Sequence, residues 1–418
     1  MKTLAVRLYG ENDLRLDLVE LPKINDDEIL AKIVTDSICM STYKAVIQGE
    51  NHKRVPKNIK TNPVMVGHEF CGEILEVGSK WKDKYKAGDR FVIQPALNYN
   101  GSLFAPGYSY EYIGGASQIV ILPKEIMETD NLIKYDGDAF FKGSLTEPMS
   151  CIVGAFNANY HTVNNSHSHI MGCKKNGKML ILAGCGPMGI GAIDYALNGT
   201  DTPPCKLVVT DIDEERIELV KEIYGKDDRL TVINSCDKEE LLNLSDGTGY
   251  DDIFVFAPVK GLIEIADSLL AMDGCLNFFA GPTDTDFTAS LNFYNVHYTS
   301  THIVGTSGGN CEDLKKSAML ISNGKINPCV MITHIGGLDS VIDTTLNLPQ
   351  INGGKKLIYT DISLPLTKIS DFERLSQEKD NENAGLFAEL SVICQRHGGL
   401  WNAEAEIYLI NNGKRIGG

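Results

Sequence analysis

The chain has 418 residues, with 39 Lys and Arg against 55 Asp and Glu, a formal net charge of −16, and 43% hydrophobic residues. This composition is that of an ordinary globular protein rather than a disordered or fibrous one. The acidic balance argues against nucleic-acid and anionic-membrane partners, because both are bound through clustered Lys and Arg.

Other broad classes are excluded by the pattern of residues. No apolar run reaches the roughly 18 residues of a membrane span, and Arg7 interrupts the N-terminal segment, so we expect no signal peptide. The eleven cysteines include no C-x-x-C pair, which is unlike the framework of a disulfide-rich secreted protein. We therefore expect reduced thiols and a cytoplasmic location.

Short strand-like segments fill the first 150 residues. Residues 14–19 alternate between apolar and polar side chains, and residues 66–77 and 90–93 are further strand-like runs, with glycines marking the turns. Many short strands separated by turns are typical of an antiparallel, barrel-like domain.

Between residues 178 and 310, apolar runs alternate with amphipathic stretches. Helices are predicted at residues 188–198 and after Asp213, whose side chain can cap a helix N-terminus. The predicted strands lie at residues 179–183, 206–210, 230–233, 253–257, 275–280 and 302–306. Six strands separated by helices predict a right-handed, doubly wound parallel sheet, and hence an α/β fold.

The pattern is weaker after residue 310. One helical segment is followed by strand-like pieces such as residues 356–360. Residues 370–383 are polar and charged, and the sequence does not predict how the last 35 residues pack.

A glycine-rich motif follows the first strand of the predicted parallel sheet. The run Gly184-Cys185-Gly186-Pro187-Met188-Gly189 has the G-x-G-x-x-G spacing and opens a predicted helix, which is the context that a dinucleotide-binding turn requires. Gly184 allows the tight turn, Gly186 lets the backbone approach a pyrophosphate, and Gly189 lets the helix pack against the strand. The pyrophosphate is then expected on the free N–H groups of the helix end.

The choice of dinucleotide is predicted from the end of the second strand. Asp211 stands 22 residues after Gly189, where a carboxylate accepts hydrogen bonds from a ribose 2′-OH and repels a 2′-phosphate. We therefore expect NAD(H) in preference to NADP(H). Arg216 could instead hold a 2′-phosphate, although a place on the exposed helix surface is favoured.

Residues with metal-binding chemistry are scattered through the first 150 positions. Cys39, His68, Glu69 and Glu147 are the candidates, but 29 residues separate Cys39 from His68. Spacing alone therefore does not define a zinc site. A histidine beside a glutamate is more often a structural pair.

Five motifs nevertheless follow one another in a characteristic order. They are Cys39-Met40-Ser41, Gly67-His68-Glu69, Gly88-Asp89-Arg90-Phe91, Glu147-Pro148 and the glycine-rich turn. This order resembles the zinc-dependent medium-chain dehydrogenases, and within them the polyol branch, over about residues 1–360. The resemblance implies a GroES-like β-rich catalytic domain at residues 1–155, an NAD-binding Rossmann domain at 156–308, and completion of the catalytic domain with a C-terminal extension at 309–418.

The resemblance also implies one catalytic zinc ion per subunit, bound by Cys39, His68 and Glu69. Glu147 is expected as the fourth ligand or as the partner of a bound water. Ser41 matches a position that commonly carries a proton-relay hydroxyl, although a serine in a turn can equally bond its own backbone. Zinc would polarise a carbonyl group while the nicotinamide delivers a hydride.

One departure from the family concerns a second metal. Many relatives carry four closely spaced cysteines after the Gly-Asp-Arg segment, where they bind a structural zinc. Here residues 94–101 and those that follow contain no cysteine before Cys151. We therefore expect no structural zinc, with aromatic packing in its place.

The resemblance implies a sugar phosphate as the substrate, and its phosphate group would need local cations. A short basic segment lies between Cys39 and His68. Within it, Lys53 and Arg54 are candidates for binding the phosphate, and a solvated basic loop is the equal alternative. The resemblance further implies the interconversion of L-sorbose 1-phosphate and D-glucitol 6-phosphate, and a homodimer or homotetramer. The alternatives are a dehydrogenase of an unphosphorylated polyol or amino alcohol, and a non-catalytic NAD-binding regulator.

Overall fold

The computed structural model describes residues 1–417, which form two compact units. Unit 1 comprises Met1–Glu147, Ser317–Gly324 and the chain from Pro328 onward. Unit 2 comprises Pro148–Lys316 and Lys325–Asn327. The boundaries predicted at residues 155/156 and 308/309 remain predictions.

The strands of the described chain are numbered in chain order. They are β1 Lys2–Gly10, β2 Asp13–Glu20, β3 Ile29–Ile38, β4 Val64–Met65, β5 Phe70–Val77, β6 Arg90–Ile93, β7 Ile119–Leu122, β8 Leu132–Lys134, β9 Tyr160–Thr162, β10 His169–Met171, β11 Lys178–Leu182, β12 Lys206–Thr210, β13 Leu230–Ile233, β14 Tyr250–Val255, β15 Leu270–Phe278, β16 His302–Val304, β17 Ile332–Gly337, β18 Lys355–Tyr359 and β19 Thr367–Lys368.

The α-helices are numbered in the same way. They are α1 Met40–Gln48, α2 Lys124–Glu128, α3 Phe140–Ser144, α4 Thr146–Ala158, α5 Pro187–Asp194, α6 Glu214–Tyr224, α7 Lys238–Leu244, α8 Lys260–Leu269, α9 Phe293–Tyr298, α10 Cys311–Ser322, α11 Val341–Leu346, α12 Phe372–Ser376, α13 Ala384–Arg396 and α14 Ala403–Asn412. No helix of residues 1–417 is long and apolar enough to cross a membrane.

Unit 1 is built on a mostly antiparallel sheet. Its order is β19-β17-β18-β3-β5-β6-β8, with β7 also paired to β3, and a smaller sheet has the order β2-β1-β4. Apolar residues of β3, β5, β6 and β7 face a common core. The predicted β-rich domain of short strands is therefore confirmed.

Unit 2 contains a six-stranded sheet of order β13-β12-β11-β14-β15-β16, in which every pair is parallel. Reversal of the strand order beside β11 is the arrangement of a doubly wound sheet. Asp213 caps α6 by accepting a hydrogen bond from the backbone N–H of Arg216, as predicted. The predicted α/β fold class is confirmed.

One predicted strand is too long at its start. The sequence predicts a strand over residues 66–77, but β5 begins at Phe70. Gly67 turns the chain with φ of 93°, and a Cβ there would lie 2.7 Å from the backbone nitrogen of Ala116. The turn ends the regular pairing and directs His68 and Glu69 into the interior, where both are buried.

The last part of the chain completes a core in unit 1. Trp401 is fully buried, and residues of α12, α13 and α14 pack with it against β17 and β18. The side chains of Phe372 and Phe387 stack with ring centroids 5.3 Å apart. This segment is an integral part of the β-rich unit.

Candidate functional site

Cys39, His68 and Glu69 converge at one end of the β3–β5 pair. In this antiparallel ladder Asp36 lies opposite Phe70. Cys39 directly follows β3, and His68 and Glu69 directly precede β5, so the pairing brings the three residues together. One ligand atom of each residue lies within 4.8 Å of the others, and no other such group of three His, Cys, Asp or Glu occurs in residues 1–417. Cys39 is also the residue from which α1 starts.

Hydroxyl groups of α1 orient the imidazole of His68. Thr42 Oγ1 lies 3.2 Å from His68 Nδ1, and Ser41 Oγ lies 3.2 Å from Nε2. Burial, with only 4% of the residue exposed, lowers the pKa of His68 to about 4. The ring is therefore neutral near pH 7, and a proton on Nδ1 directed to Thr42 would leave the Nε2 lone pair on the side of the Ser41 hydroxyl.

Glu69 is held by a buried lysine that the sequence analysis did not single out. Lys355 Nζ lies 2.5 and 2.7 Å from the two carboxylate oxygens of Glu69, and the hydroxyl of Ser37 donates to the same carboxylate. Burial opposes the charge of Glu69, but Lys355, His68 and these hydrogen bonds outweigh it and lower the pKa of Glu69. The carboxylate is therefore ionised and fixed in orientation.

The electrostatics of Cys39 fit a bound cation. Burial, followed by the charges of Glu69 and Glu147, raises the pKa of the Cys39 thiol to about 12. Glu147 lies in the first turn of α4. A cation bound here would lower the pKa of the Cys39 thiol and favour the thiolate, and a thiolate, an imidazole and carboxylates are ligands that zinc accepts.

Tyr108 lies beside this group and was also missed by the sequence analysis. Only 2% of the residue is exposed; its hydroxyl donates to Ser41 Oγ at 2.9 Å and lies 3.3 Å from His68 Nε2. Ser41 in turn donates to Cys39 Sγ at 3.0 Å. The two hydroxyls thus form a short chain that ends at the candidate metal ligands.

The two basic candidates for phosphate binding lie in different surroundings. The Arg54 guanidinium lies 5.3 Å from the centre of the Tyr108 ring, and its charge contributes to the low pKa of His68, after burial. The Tyr108 ring also stacks on His52, with centroids 5.8 Å apart. Lys53, in contrast, is exposed. Only Arg54 therefore lies next to the candidate metal group.

The loop where relatives carry cysteines is packed by aromatic side chains. Tyr99, Tyr110 and Tyr112 pack against the main core of unit 1, and Phe104 meets Tyr110 edge to face at 6.4 Å. These contacts are of the kind predicted for this segment. Tyr108 comes from the same loop, so its place in the site follows from how the loop folds back on α1.

In unit 2 the glycine-rich turn joins β11 to α5. Gly186 precedes the first helical residue, Pro187, which is followed by Met188. A Cβ at Gly189 would lie 2.1 Å from the carbonyl oxygen of Gly184, whereas a Cβ at Gly186 would have nothing closer than Arg216 Nη1 at 3.8 Å. Gly189 is thus required for packing, and the space beside Gly186 is open to a ligand.

Asp211 follows β12 and is buried against this turn. One of its oxygens accepts a hydrogen bond from the Cys185 N–H at 2.9 Å, and the other accepts from the Ile212 N–H at 2.8 Å. Arg216 extends toward the same turn, with Nε 3.3 Å from Asp213 Oδ2. An acidic and a basic side chain therefore both lie beside the glycine-rich turn.

Comparison with known families bears on both units. Residues 25–129 match the family model described as the alcohol dehydrogenase GroES-like domain, and residues 187–323 match that of the zinc-binding dehydrogenases. The chain belongs to the zinc-binding medium-chain dehydrogenase family. The predicted resemblance, the GroES-like and Rossmann folds and the enzyme class are therefore confirmed: the protein is a zinc-dependent oxidoreductase.

Two relatives are similar to this chain over nearly the whole length of both proteins. L-sorbose 1-phosphate reductase of Klebsiella pneumoniae is 48% identical, covering 99% of this chain and 98% of the relative. Mannitol-1-phosphate 5-dehydrogenase of Aliivibrio fischeri is 47% identical, covering 98% and 97%. A solved zinc-binding dehydrogenase of Sinorhizobium meliloti, bound to NADP, shares the fold with a TM-score of 0.70 at 19% identity, covering 86% of this chain and all of that chain.

Proposed function

We propose that the protein is an NAD(H)-dependent reductase of a ketose phosphate, acting on L-sorbose 1-phosphate to form D-glucitol 6-phosphate. The observation that carries this proposal is Arg54, a cation that lies over Tyr108 beside the candidate metal ligands. The name of the relative in Klebsiella pneumoniae supports the same substrate.

The metal-binding residues in this proposal are Cys39, His68 and Glu69, with Glu147 as the fourth ligand or the partner of a bound water. Zinc at this place supplies a Lewis acid for a carbonyl oxygen, and the nicotinamide supplies the hydride. Because Lys355 and Ser37 occupy the Glu69 carboxylate, we assign Glu147 the larger share of carboxylate binding. Ser41, supported by the hydroxyl of Tyr108, holds the proton that the product oxygen takes up.

Cofactor binding is assigned to Gly184, Gly186, Pro187, Met188 and Gly189, with Asp211 selecting NAD(H). The Asp211 carboxylate, already oriented by the backbone N–H groups of Cys185, Ile212 and Asp213, still has a lone pair on Oδ2 for a ribose hydroxyl. Arg216 is the competing feature, because a guanidinium at this turn would favour a 2′-phosphate. Measurement of kcat/KM with NADH and NADPH decides between them.

Arg54 and Lys53 provide a matched pair of variants for the phosphate. A charge-assisted hydrogen bond contributes about 1.5–3 kcal/mol, so we expect Arg54→Gln to raise KM for a phosphorylated ketose about 10–100-fold. Lys53→Gln should leave KM unchanged, since Lys53 is exposed and, of the two basic residues, Arg54 is the one that lies over the Tyr108 ring. An unchanged KM in Arg54→Gln would show that the phosphate binds elsewhere.

A substrate panel tests the proposal as a whole. The zinc-loaded full chain is assayed with NADH against L-sorbose 1-phosphate and L-sorbose, and with NAD against mannitol 1-phosphate, D-glucitol 6-phosphate and D-glucitol. We expect L-sorbose 1-phosphate and D-glucitol 6-phosphate to give the highest kcat/KM. Preference for mannitol 1-phosphate would favour the activity named for the relative in Aliivibrio fischeri. Preference for unphosphorylated substrates would favour a free polyol or amino alcohol dehydrogenase.

Two further parts of the proposal concern the cell. We place the enzyme in the cytoplasm, in keeping with eleven free cysteines. We also propose a homodimer or homotetramer, which sedimentation of the full chain tests.

A further inference from the structure

The C-terminal helices bring a buried carboxylate to unit 1. Glu406 lies on α14, and only 2% of the residue is exposed. Buried carboxylates are rare unless their oxygens are well paired. Glu406 therefore needs partners, and they lie on two elements far from α14 in sequence.

Three donors surround the Glu406 carboxylate. The backbone N–H groups of Phe140 and Phe141 donate to its two oxygens at 2.7 and 2.8 Å. The hydroxyl of Tyr359 donates to Oε2 at 3.0 Å and accepts a hydrogen bond from Trp401 Nε1 at 2.8 Å. Glu406 thus joins the start of α3 to the end of β18.

The first of these two elements leads directly to Glu147. Helix α3 ends at Ser144, the fully buried Leu145 follows, and α4 begins at Thr146. The Thr146 hydroxyl donates back to the Gly143 carbonyl at 2.6 Å. Helix α3 also packs closely on β5, because a Cβ at Gly143 would lie 2.4 Å from Cys71 Sγ. Because one residue separates α3 from α4, a shift of α3 moves Glu147.

The second element carries the partner of Glu69. Tyr359 is the last residue of β18, and Lys355 is the first. The strand is buried over all five residues and pairs with β3, which ends immediately before Cys39. Displacement of β18 at Tyr359 is therefore carried along the strand toward the Lys355–Glu69 ion pair.

We infer that Glu406 is a positioning residue of the metal centre, through which the C-terminal helices fix both Glu147 and the Lys355–Glu69 pair. This inference rests on the proposed metal centre. It gives the C-terminal extension a function in binding the ion, in addition to covering the core.

The test compares two glutamates of α14 in the full chain. Glu406→Gln keeps the size of the side chain but places an amide NH₂ group against one of the two N–H donors. Glu404→Gln is the matched control, because Glu404 is exposed and its ion pairs among residues 1–417 are with Arg396 and His397 at the surface. Zinc dissociation constants are measured by competition with a chelator. Absorption spectra of the cobalt(II)-loaded chains report the ligand geometry, and circular dichroism shows that each chain is folded.

We expect Glu406→Gln to bind zinc about 10–100-fold more weakly than the wild type, with a changed cobalt spectrum, as for other groups that orient metal ligands. Glu404→Gln should match the wild type in both. A folded Glu406→Gln chain with wild-type zinc affinity and cobalt spectrum would overturn the inference.

Two other outcomes are also decisive. If Glu406→Gln does not fold, Tyr359→Phe takes its place: weaker zinc binding with a changed cobalt spectrum supports the inference, and wild-type values overturn it. If the wild-type chain itself binds no zinc, the proposed metal centre fails, and the inference fails with it. Equal zinc binding by the wild type and Glu406→Gln leaves the proposed function standing and removes only the inference.

Discussion

The candidate metal centre of unit 1 and the proposed nucleotide turn of unit 2 are built from different parts of the polypeptide. At the candidate metal centre the ligand atoms would come from the side chains of Cys39, His68 and Glu69, against which hydroxyls and Lys355 lie. At the proposed turn the ligand would meet backbone N–H groups of the helix end, beside the open space at Gly186.

This difference has a physical consequence. A side-chain centre in a buried place needs compensation for each charge, and so it draws in partners from distant parts of the fold. A backbone turn needs only a strand, a glycine-rich loop and a helix in succession. The two regions should therefore respond to different perturbations.

Removal of the metal should separate the regions most strongly. We expect a chelator to lower ketose phosphate reduction on the order of 10³-fold, because a Lewis acid contributes several kcal/mol to carbonyl reduction. NADH binding, measured by fluorescence titration, should change less than twofold, since the turn contains no candidate metal ligand. Added zinc should restore activity. Full activity of a chain shown to be metal-free would contradict the expected difference in metal dependence between the two regions.

A methyl group at the turn should have the converse effect. We expect Gly186→Ala to weaken NADH binding at least tenfold, because the methyl occupies the place where the backbone approaches the pyrophosphate. The fold should persist, since the nearest atom to the new Cβ is Arg216 Nη1 at 3.8 Å. Zinc content per chain should stay as in the wild type. Unchanged NADH affinity would place the pyrophosphate elsewhere.

The pH dependence of stability should differ in sign between the units. In unit 1, burial lowers the pKa of His334 to about 4. As the pH falls, this histidine is protonated in the unfolded chain before it is protonated in the folded chain, so the free energy of unfolding decreases between about pH 6.5 and pH 4. In unit 2, burial disfavours the charged form of His161, but interactions with Asp252 and Asp273 outweigh burial and raise the pKa of His161. Its contribution is present below about pH 6.5 and is lost as the pH rises through the folded-state pKa.

Two variants of the metal-free chain check these signs in urea unfolding curves. We expect His334→Gln to flatten the acid limb of the free energy of unfolding against pH. His161→Gln should flatten the limb above about pH 6.5 instead. If both variants flattened the same limb, the pKa shifts of His334 and His161 would not be opposite.

The nucleotide turn could be predicted almost completely from the sequence, because its determinants are consecutive. The glycine spacing, the strand before it and the cap at Asp213 are all local features. The metal centre could be predicted only through a family resemblance. Cys39 and His68 meet because β3 and β5 pair, and no local pattern encodes that register.

The supporting residues were not predictable because their partners are remote. Lys355 reaches Glu69 across 286 residues, and Glu406 reaches Phe140 across 266 residues. For Lys355, the one local signal was its position at the start of an apolar strand. For Glu406, its position in the C-terminal helix gave no local signal. The strand predicted over residues 66–77 begins four residues too early for a related reason: Gly67 turns the chain before β5 begins at Phe70.

X-ray absorption at the zinc edge of the loaded full chain identifies the ligands of the proposed metal centre. We expect one zinc per chain with a single sulfur scatterer at about 2.3 Å and nitrogen or oxygen scatterers at about 2.0–2.2 Å, and we expect Cys39→Ser to lose the sulfur scatterer. A centre with several sulfur scatterers, or one whose sulfur persists in Cys39→Ser, would contradict this expectation.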